Sequence, residues 1–216
     1  MKESSKDVEK SYFTVSWFFN SWVRLMEYHT RKMESIESEQ LGPRRLIISP
    51  PTDAGIPLLA RANPSGQTNL LCFSIRLQRV AAKYIRSHRI ENLTPIATSF
   101  FQIPARDESL SAVYANCLFD FCAEEDFDTM LREIWRVLKP GGVLFAVYMA
   151  PTSSLGSRLW TWIFDRHSFL NNGCDPVTIA VHLTSNGFII QKEVSVPRLG
   201  FPLVYSVSER PTDGAG

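Results

Sequence analysis

The sequence predicts an α/β fold in which a mostly parallel central sheet carries helices on both faces and ends in an antiparallel strand pair. Three observations carry this prediction. Short apolar runs of strand length alternate with stretches whose apolar residues recur at helical spacing. The run "VLFAVYMA", residues 143–150, is apolar throughout, as a strand covered on both faces must be. Near the C-terminus "FIIQKEVSVP" and "FPLVYSVSE" follow each other closely enough to pair antiparallel at the sheet edge.

The elements follow in order. "RRLIIS" and "TNLLCFSI" read as the first two strands, and "AGIPLLARANPSG" between them reads as a short helix ended by Asn63, Pro64 and Gly66. "RLQRVAAKYIRSH" places Leu77, Val80, Ala81, Tyr84 and Ile85 on one helical face and Arg76, Arg79, Lys83 and Arg86 on the other. "TPIATSF" and "LSAVYANCLF" are the third and fourth strands. In "EEDFDTMLREIWRVLK" the acidic residues Glu124, Glu125 and Asp126 suit the positive N-terminal end of a helix. Its apolar stripe is Phe127, Met130, Leu131, Ile134, Val137 and Leu138, and Pro140, Gly141 and Gly142 should stop it. The fifth strand is "VLFAVYMA", and "DPVTIAVHLTSNG" is the helix before the final strand pair.

Composition bounds the function classes. A chain of 216 residues with 44% hydrophobic residues supports one complete core, so a single domain is expected. The net charge of +1 gives no global field that would recruit nucleic acid or an anionic membrane. No apolar run reaches the length of a membrane span, and the polar start "MKESSKDVEK" lacks the apolar core of an export signal. Cys72, Cys117, Cys122 and Cys174 show no CxxC pair and no metal-ligand spacing. They read as reduced core thiols, and no metal site and a cytoplasmic location are expected.

Residues Phe127 to Tyr148, "FDTMLREIWRVLKPGGVLFAVY", closely resemble the helix, Lys-Pro-Gly-Gly turn and strand of class I S-adenosylmethionine-dependent methyltransferases. The resemblance is to the type 11 small-molecule group related to quinone methyltransferases, and it extends more weakly over nearly the whole chain. It implies a Rossmann-like methyltransferase fold. "SYFTVSWFFNSWVRLME" is similar to the aromatic helix that this group lays over its active site. Residues 1–42 are therefore expected to form a lid region, and residues 43–210 the α/β domain.

The same resemblance exposes an anomaly. In the family the first strand ends in an acidic residue and a GxGxG turn, where glycine permits close backbone approach and positive φ. Here the acidic place falls on Ile47 or Ile48, and the glycine places fall within Ser49 to Asp53, with Gly55 arriving late near the next helix. Pro50 and Pro51 have fixed φ and no amide hydrogen. The acid that should hold the ribose matches Ser74, the one beside the adenine matches Ser99, and the one opening the fourth strand matches Ser111. Ser49, Pro50, Pro51, Gly55, Ser74 and Ser99 thus mark a degenerate cofactor site, and no cofactor is expected. S-adenosylmethionine is expected only if the chain methylates after all.

The acceptor side keeps its character. Tyr12, Phe13, Trp17, Phe18, Phe19 and Trp22 in the first helix, with Trp160, Trp162, Phe164 and Phe169 after the fifth strand, are aromatics that the family fold would bring over one cleft. Of these, Tyr12, Trp17, Phe18, Trp22, Trp160 and Phe164, together with Asn116, form the expected substrate pocket. Aromatic stripes at helical spacing also serve as core or as a partner interface. Asp120 and His167 are weak catalytic candidates, because such groups more often serve in a solvated or capping role; His29, His88 and His182 have no partner motif. Three readings result: a non-methylating cyclase or isomerase acting on a hydrophobic small molecule, a divergent methyltransferase of a small hydrophobic acceptor, and a pseudoenzyme that binds a protein partner through its N-terminal helix.

Overall fold

The computed structural model describes residues 28–98, 101–121, 124–149, 179–198 and 201–212. Helix α1 spans Tyr28–Glu37, and strand β1, Arg44–Ile48, is followed by α2, Ile56–Arg61. Strand β2 (Gln67–Cys72), helix α3 (Ile75–Ser87), and strands β3 (Leu93–Ala97) and β4 (Leu110–Asn116) come next. Two 3-10 turns, Phe119–Phe121 and Glu124–Asp126, lead into α4, Phe127–Val137, and β5, Leu138–Met149. Helix α5, Ala180–Ser185, precedes β6 (Ile189–Arg198) and β7 (Phe201–Glu209).

The strands form one seven-stranded sheet in the order β3-β2-β1-β4-β5-β7-β6. β3, β2, β1, β4 and β5 are parallel, whereas β7 runs antiparallel to both β5 and β6. Chain order reverses between β1 and β4, which turns their C-terminal ends into the crevice where open α/β sheets bind ligands.

Period-two alternation divides the core. Ile47, Leu70, Tyr114, Phe145 and Tyr205 face the side covered by α2 and α3, where Ile56, Leu59, Leu77, Ala81 and Ile85 meet them. Ile48, Leu71, Val113, Ala115, Leu144 and Ala146 face α4 and α5, against Phe127, Met130, Leu131, Ile134 and Leu183. All seven residues of β4 are buried, as its central position requires.

Among the described residues the expected strands and helices are found, with one boundary corrected. Helix α4 ends at Val137, before the Pro140–Gly142 stop read from the sequence, and Leu138 is already extended. A residue before proline is pushed out of helical φ/ψ, which fixes Lys139, and Leu138 pairs with Leu110 of β4. Gly141 supplies the positive φ of 73° that lets its N–H reach Arg210 O at 2.8 Å. β4 stops at Asn116 because Cys117 turns to φ 56°, while its N–H still reaches Val147 O. Cys72 and Cys117 are buried, as expected of core thiols; Cys122 and Cys174 lie outside the described residues.

Candidate active-site crevice at the carboxyl ends of β1 and β4

The turn after β1 is built by its prolines. Asp53 N–H donates to Pro50 O at 3.0 Å, closing a β-turn with Pro51 in its second position, where a fixed φ near −65° is favoured. The Asp53 side chain then folds forward, and its Oδ1 accepts the Gly55 N–H at 2.7 Å. Gly55 caps α2 with an ordinary φ of −80°, so glycine is needed there for space rather than for conformation. A Cβ at this position would overlap the Cβ, Cγ and Cδ of Arg31.

Arg31 descends from α1 onto this turn. Its Nη2 and Nε donate to Asp53 Oδ2 at 2.9 and 3.1 Å, and both side chains are 1% exposed. Asp53 O accepts two further bonds, from Ile56 N–H and from the Tyr84 hydroxyl of α3. One turn along α1, Glu34 is fully buried with its Oε2 3.7 Å from Arg31 Nη1. The same oxygen accepts Asn116 Nδ2–H at 3.3 Å. A buried polar chain, Asp53–Arg31–Glu34–Asn116, therefore runs from the end of β1 to the end of β4.

α1 is held elsewhere by polar contacts as well. Arg45, buried in β1, donates to Leu41 O and Ala62 O at 3.0 Å and reaches Ser38 Oγ. Glu37 accepts from the Tyr205 hydroxyl and from Lys192 Nζ. Burial and the adjacent Glu37 and Glu34 charges raise the Tyr205 pKa.

The remaining predicted positions are spread over several elements. Ser74 caps α3, its Oγ accepting the Leu77 N–H at 3.2 Å. Ile47 and Ile48 are buried, and each packs into an apolar face of the sheet. Ser111 is buried in β4. Asn116 is 1% exposed, and its Oδ1 has no hydrogen-bond partner among the described residues. Asp120 is also buried, and its Oδ1 accepts Met149 N–H at 2.9 Å, joining the turn after β4 to the end of β5. Tyr12, Trp17, Phe18, Trp22, Ser99, Trp160, Phe164 and His167 lie outside the described residues. No cluster of His, Cys, Asp or Glu that could hold a metal occurs among the described residues.

Arg31, Glu34 and Asp53 were not singled out from the sequence. The available signal was an Arg-x-x-Glu spacing on a helix together with an acid in a proline-bearing turn.

Comparison with known proteins agrees with this geometry. A family model described as a methyltransferase domain, type 11, matches residues 56–146. The structure also superposes on a SAM-dependent methyltransferase from Aquifex aeolicus with a TM-score of 0.65 at 14% identity, covering 88% of this chain and 98% of that one. The chain therefore has the fold of class I methyltransferases.

Relatives by sequence are demethylmenaquinone methyltransferases. That of Geobacillus sp. (strain WCH70) is 26% identical over 114 residues, which is 53% of this chain and 48% of the relative. That of Geobacillus kaustophilus is 27% identical over 128 residues, covering 59% and 54%. The chain spans about half the length of these curated relatives. The [4+2]-cyclase SpnF shares the fold with a TM-score of 0.64 at 16% identity, covering 84% of this chain and 81% of SpnF. The family match begins at Ile56, immediately after the Ser49–Gly55 turn.

Proposed function

We propose that this methyltransferase-fold protein takes a hydrophobic small molecule at the C-terminal edge of its sheet and acts on it, as a cyclase or isomerase would, without transferring a methyl group from S-adenosylmethionine. The observation that carries the reading is the Arg31–Asp53 ion pair, 1% exposed on both sides, lying on the turn where the family's glycines would meet the cofactor. Pro50 and Pro51 contribute no amide donors there. Asp53 instead places a carboxylate on the Gly55 amide at the start of α2, so a donor open to an outside anion is satisfied internally. Ser74 spends its hydroxyl oxygen on a helix cap, and no carboxylate stands at Ile47 or Ile48. On these grounds the residues present do not fit the cofactor.

Clearing the turn would strand a buried charge, and breaking such a pair from one side costs about 3 to 5 kcal/mol. That cost is comparable to a large part of the free energy of micromolar binding, about 8 kcal/mol. A cyclase on the same fold, SpnF, supports the view that the architecture serves reactions other than methylation. A second reading, a divergent methyltransferase of a small hydrophobic acceptor, is favoured by the family match over residues 56–146.

Calorimetry separates the two. Titration with S-adenosylmethionine or S-adenosylhomocysteine at sub-millimolar concentration should give no saturable heat. Micromolar affinity would overturn the first reading in favour of the second. Demethylmenaquinone, named in the relatives' activity, is the first hydrophobic compound to test for binding in the cofactor's absence.

A further inference from the structure

The segment from Ala54 to Ile90 contains no Asp or Glu, yet holds Arg61, Arg76, Arg79, Lys83, Arg86 and Arg89. Because the whole chain carries only +1, the rest of it is net acidic. Four of these cations lie on α3 at positions 76, 79, 83 and 86. At 100° per residue this spacing keeps them within one narrow stripe, about 15 Å long at 1.5 Å per residue. The opposite face of α3 is committed to the sheet through Leu77, Ala81 and Ile85, so the stripe points outward, and all four cations are exposed. Arg61 and Arg89 are exposed too.

Ion pairs among the described residues include Arg31–Asp53, Arg136–Glu133, Lys192–Glu37 and Arg210–Glu108. Arg79, Lys83, Arg86 and Arg89 enter none of them. Like charges spaced three and four residues apart on a helix repel one another, and α3 holds no acid to relieve them. A polyanion would.

We propose that this face of α3 docks on an anionic phospholipid bilayer surface. A convex helix lying flat on a sheet presents its charges to a plane. Binding of single strands also uses exposed aromatic platforms, and the one aromatic of α3, Tyr84, is half-buried and tied to Asp53 O. At the N-terminal end of the stripe Ile75 is 56% exposed, an apolar contact that a lipid interface rewards and a soluble polyanion does not. The surface potential of anionic lipid attracts clustered Lys and Arg over roughly one Debye length. This inference does not depend on whether the protein binds a cofactor.

The test is co-sedimentation of the full chain with vesicles of pure phosphatidylcholine and with vesicles containing phosphatidylserine at about 30 mol%. Binding should be at least about tenfold stronger on the anionic vesicles and should vanish near 0.5 M salt, where screening shortens to a few ångströms. The triple variant Arg79→Glu/Lys83→Glu/Arg86→Glu should lose that gain. A control with the same charge change on other exposed cations, Arg106→Glu/Arg132→Glu/Lys139→Glu, should keep most of it. Thermal melts by circular dichroism check that both fold, and the milder Arg79→Gln/Lys83→Gln/Arg86→Gln variant replaces any that does not. Equal binding to both vesicle types, equal loss in both triple variants, or binding to an oligothymidylate strand without binding to vesicles would each overturn the proposal.

Discussion

Arg31 Nη2 lies 2.9 Å from Asp53 Oδ2, and the pair joins α1 to the turn after β1 with both side chains 1% exposed. A pair this dry surrenders nearly as much hydration as it regains in attraction, so its net worth against well-packed apolar residues is small. Its effect is on position. Arg31 covers Gly55, Asp53 holds the Gly55 amide, and Glu34 carries the connection to Asn116 at the end of β4.

Breaking the pair from either side should therefore cost far more than the pair contributes. Arg31→Met or Asp53→Asn alone should lower unfolding stability in urea by about 3 to 5 kcal/mol, because the first strands the buried Asp53 and Glu34 carboxylates and the second leaves Arg31 with Glu34, at 3.7 Å. Asparagine keeps an oxygen for the Gly55 amide, so the loss reports the ion pair rather than the cap. The double variant should be more stable than the sum of the single losses predicts, with a coupling of about 1 to 3 kcal/mol. Single losses under about 1 kcal/mol would mean that water reaches the pair.

A second ionic contact sets a pH dependence. His182 Nδ1 of α5 lies 2.9 Å from Asp128 Oδ1 of α4, and Asn186 Nδ2 donates to the same oxygen. The hydrogen bond with Asp128 raises the His182 pKa above its ordinary value of 6.5, assisted by Glu124. A raised folded pKa means that the contribution is fully present below 6.5 and is lost as pH rises through the higher folded value. The Asp128 pKa is lowered, first by its bond with His182, so its contribution is present above 3.8 and fades as pH falls through the lower folded value. Melting temperature should thus decline as pH rises above 6.5, and His182→Gln should flatten that slope. An NMR titration placing His182 below 6.5 would contradict this.

The fold was legible because its signals are periodic. Strand alternation and the apolar stripe of α4 can be read without knowing what they pack against, and Phe127, Met130, Leu131 and Ile134 are buried as the stripe implied. The site was less legible because its polar residues act across long separations. Arg45 looks like a flanking charge in "RRLIIS", yet it is buried and bonded to carbonyls at both Leu41 and Ala62. Arg31 and Asp53 are 22 residues apart, and nothing local in the sequence says that they meet. The prolines could be read as removing amide donors. That the space beside them would be taken by an arginine could not.

The thiols make a simpler prediction. Burial pushes the Cys72 thiol up to about 12, and a thiol is nucleophilic only as its thiolate. In the native protein Cys72 should resist iodoacetamide at pH 8, and it should react readily in urea. Native labelling of Cys72 at the rate of the unfolded chain, read by peptide mass spectrometry, would show that the end of β2 opens to solvent.

The last prediction concerns Ser74, the position that the resemblance matches to a ribose-binding acid. Aspartate caps a helix as well as serine does, so Ser74→Asp should leave α3 and the overall stability nearly unchanged. A charged hydrogen-bond acceptor is worth about 1.5 to 3 kcal/mol, on the order of 10- to 100-fold in affinity, but only to a ligand that can reach it. With Pro50 and Pro51 in the turn and Arg31 lying on Gly55, S-adenosylmethionine should remain unbound by the single variant at sub-millimolar concentration. Adding Pro51→Gly, Asp53→Gly and Arg31→Ala removes the obstruction and both charges of the pair together, and this combination should be the first to give saturable heat. Saturable binding by Ser74→Asp alone would show that the turn admits the cofactor as it stands, and that the missing acid, rather than the filled turn, sets the affinity.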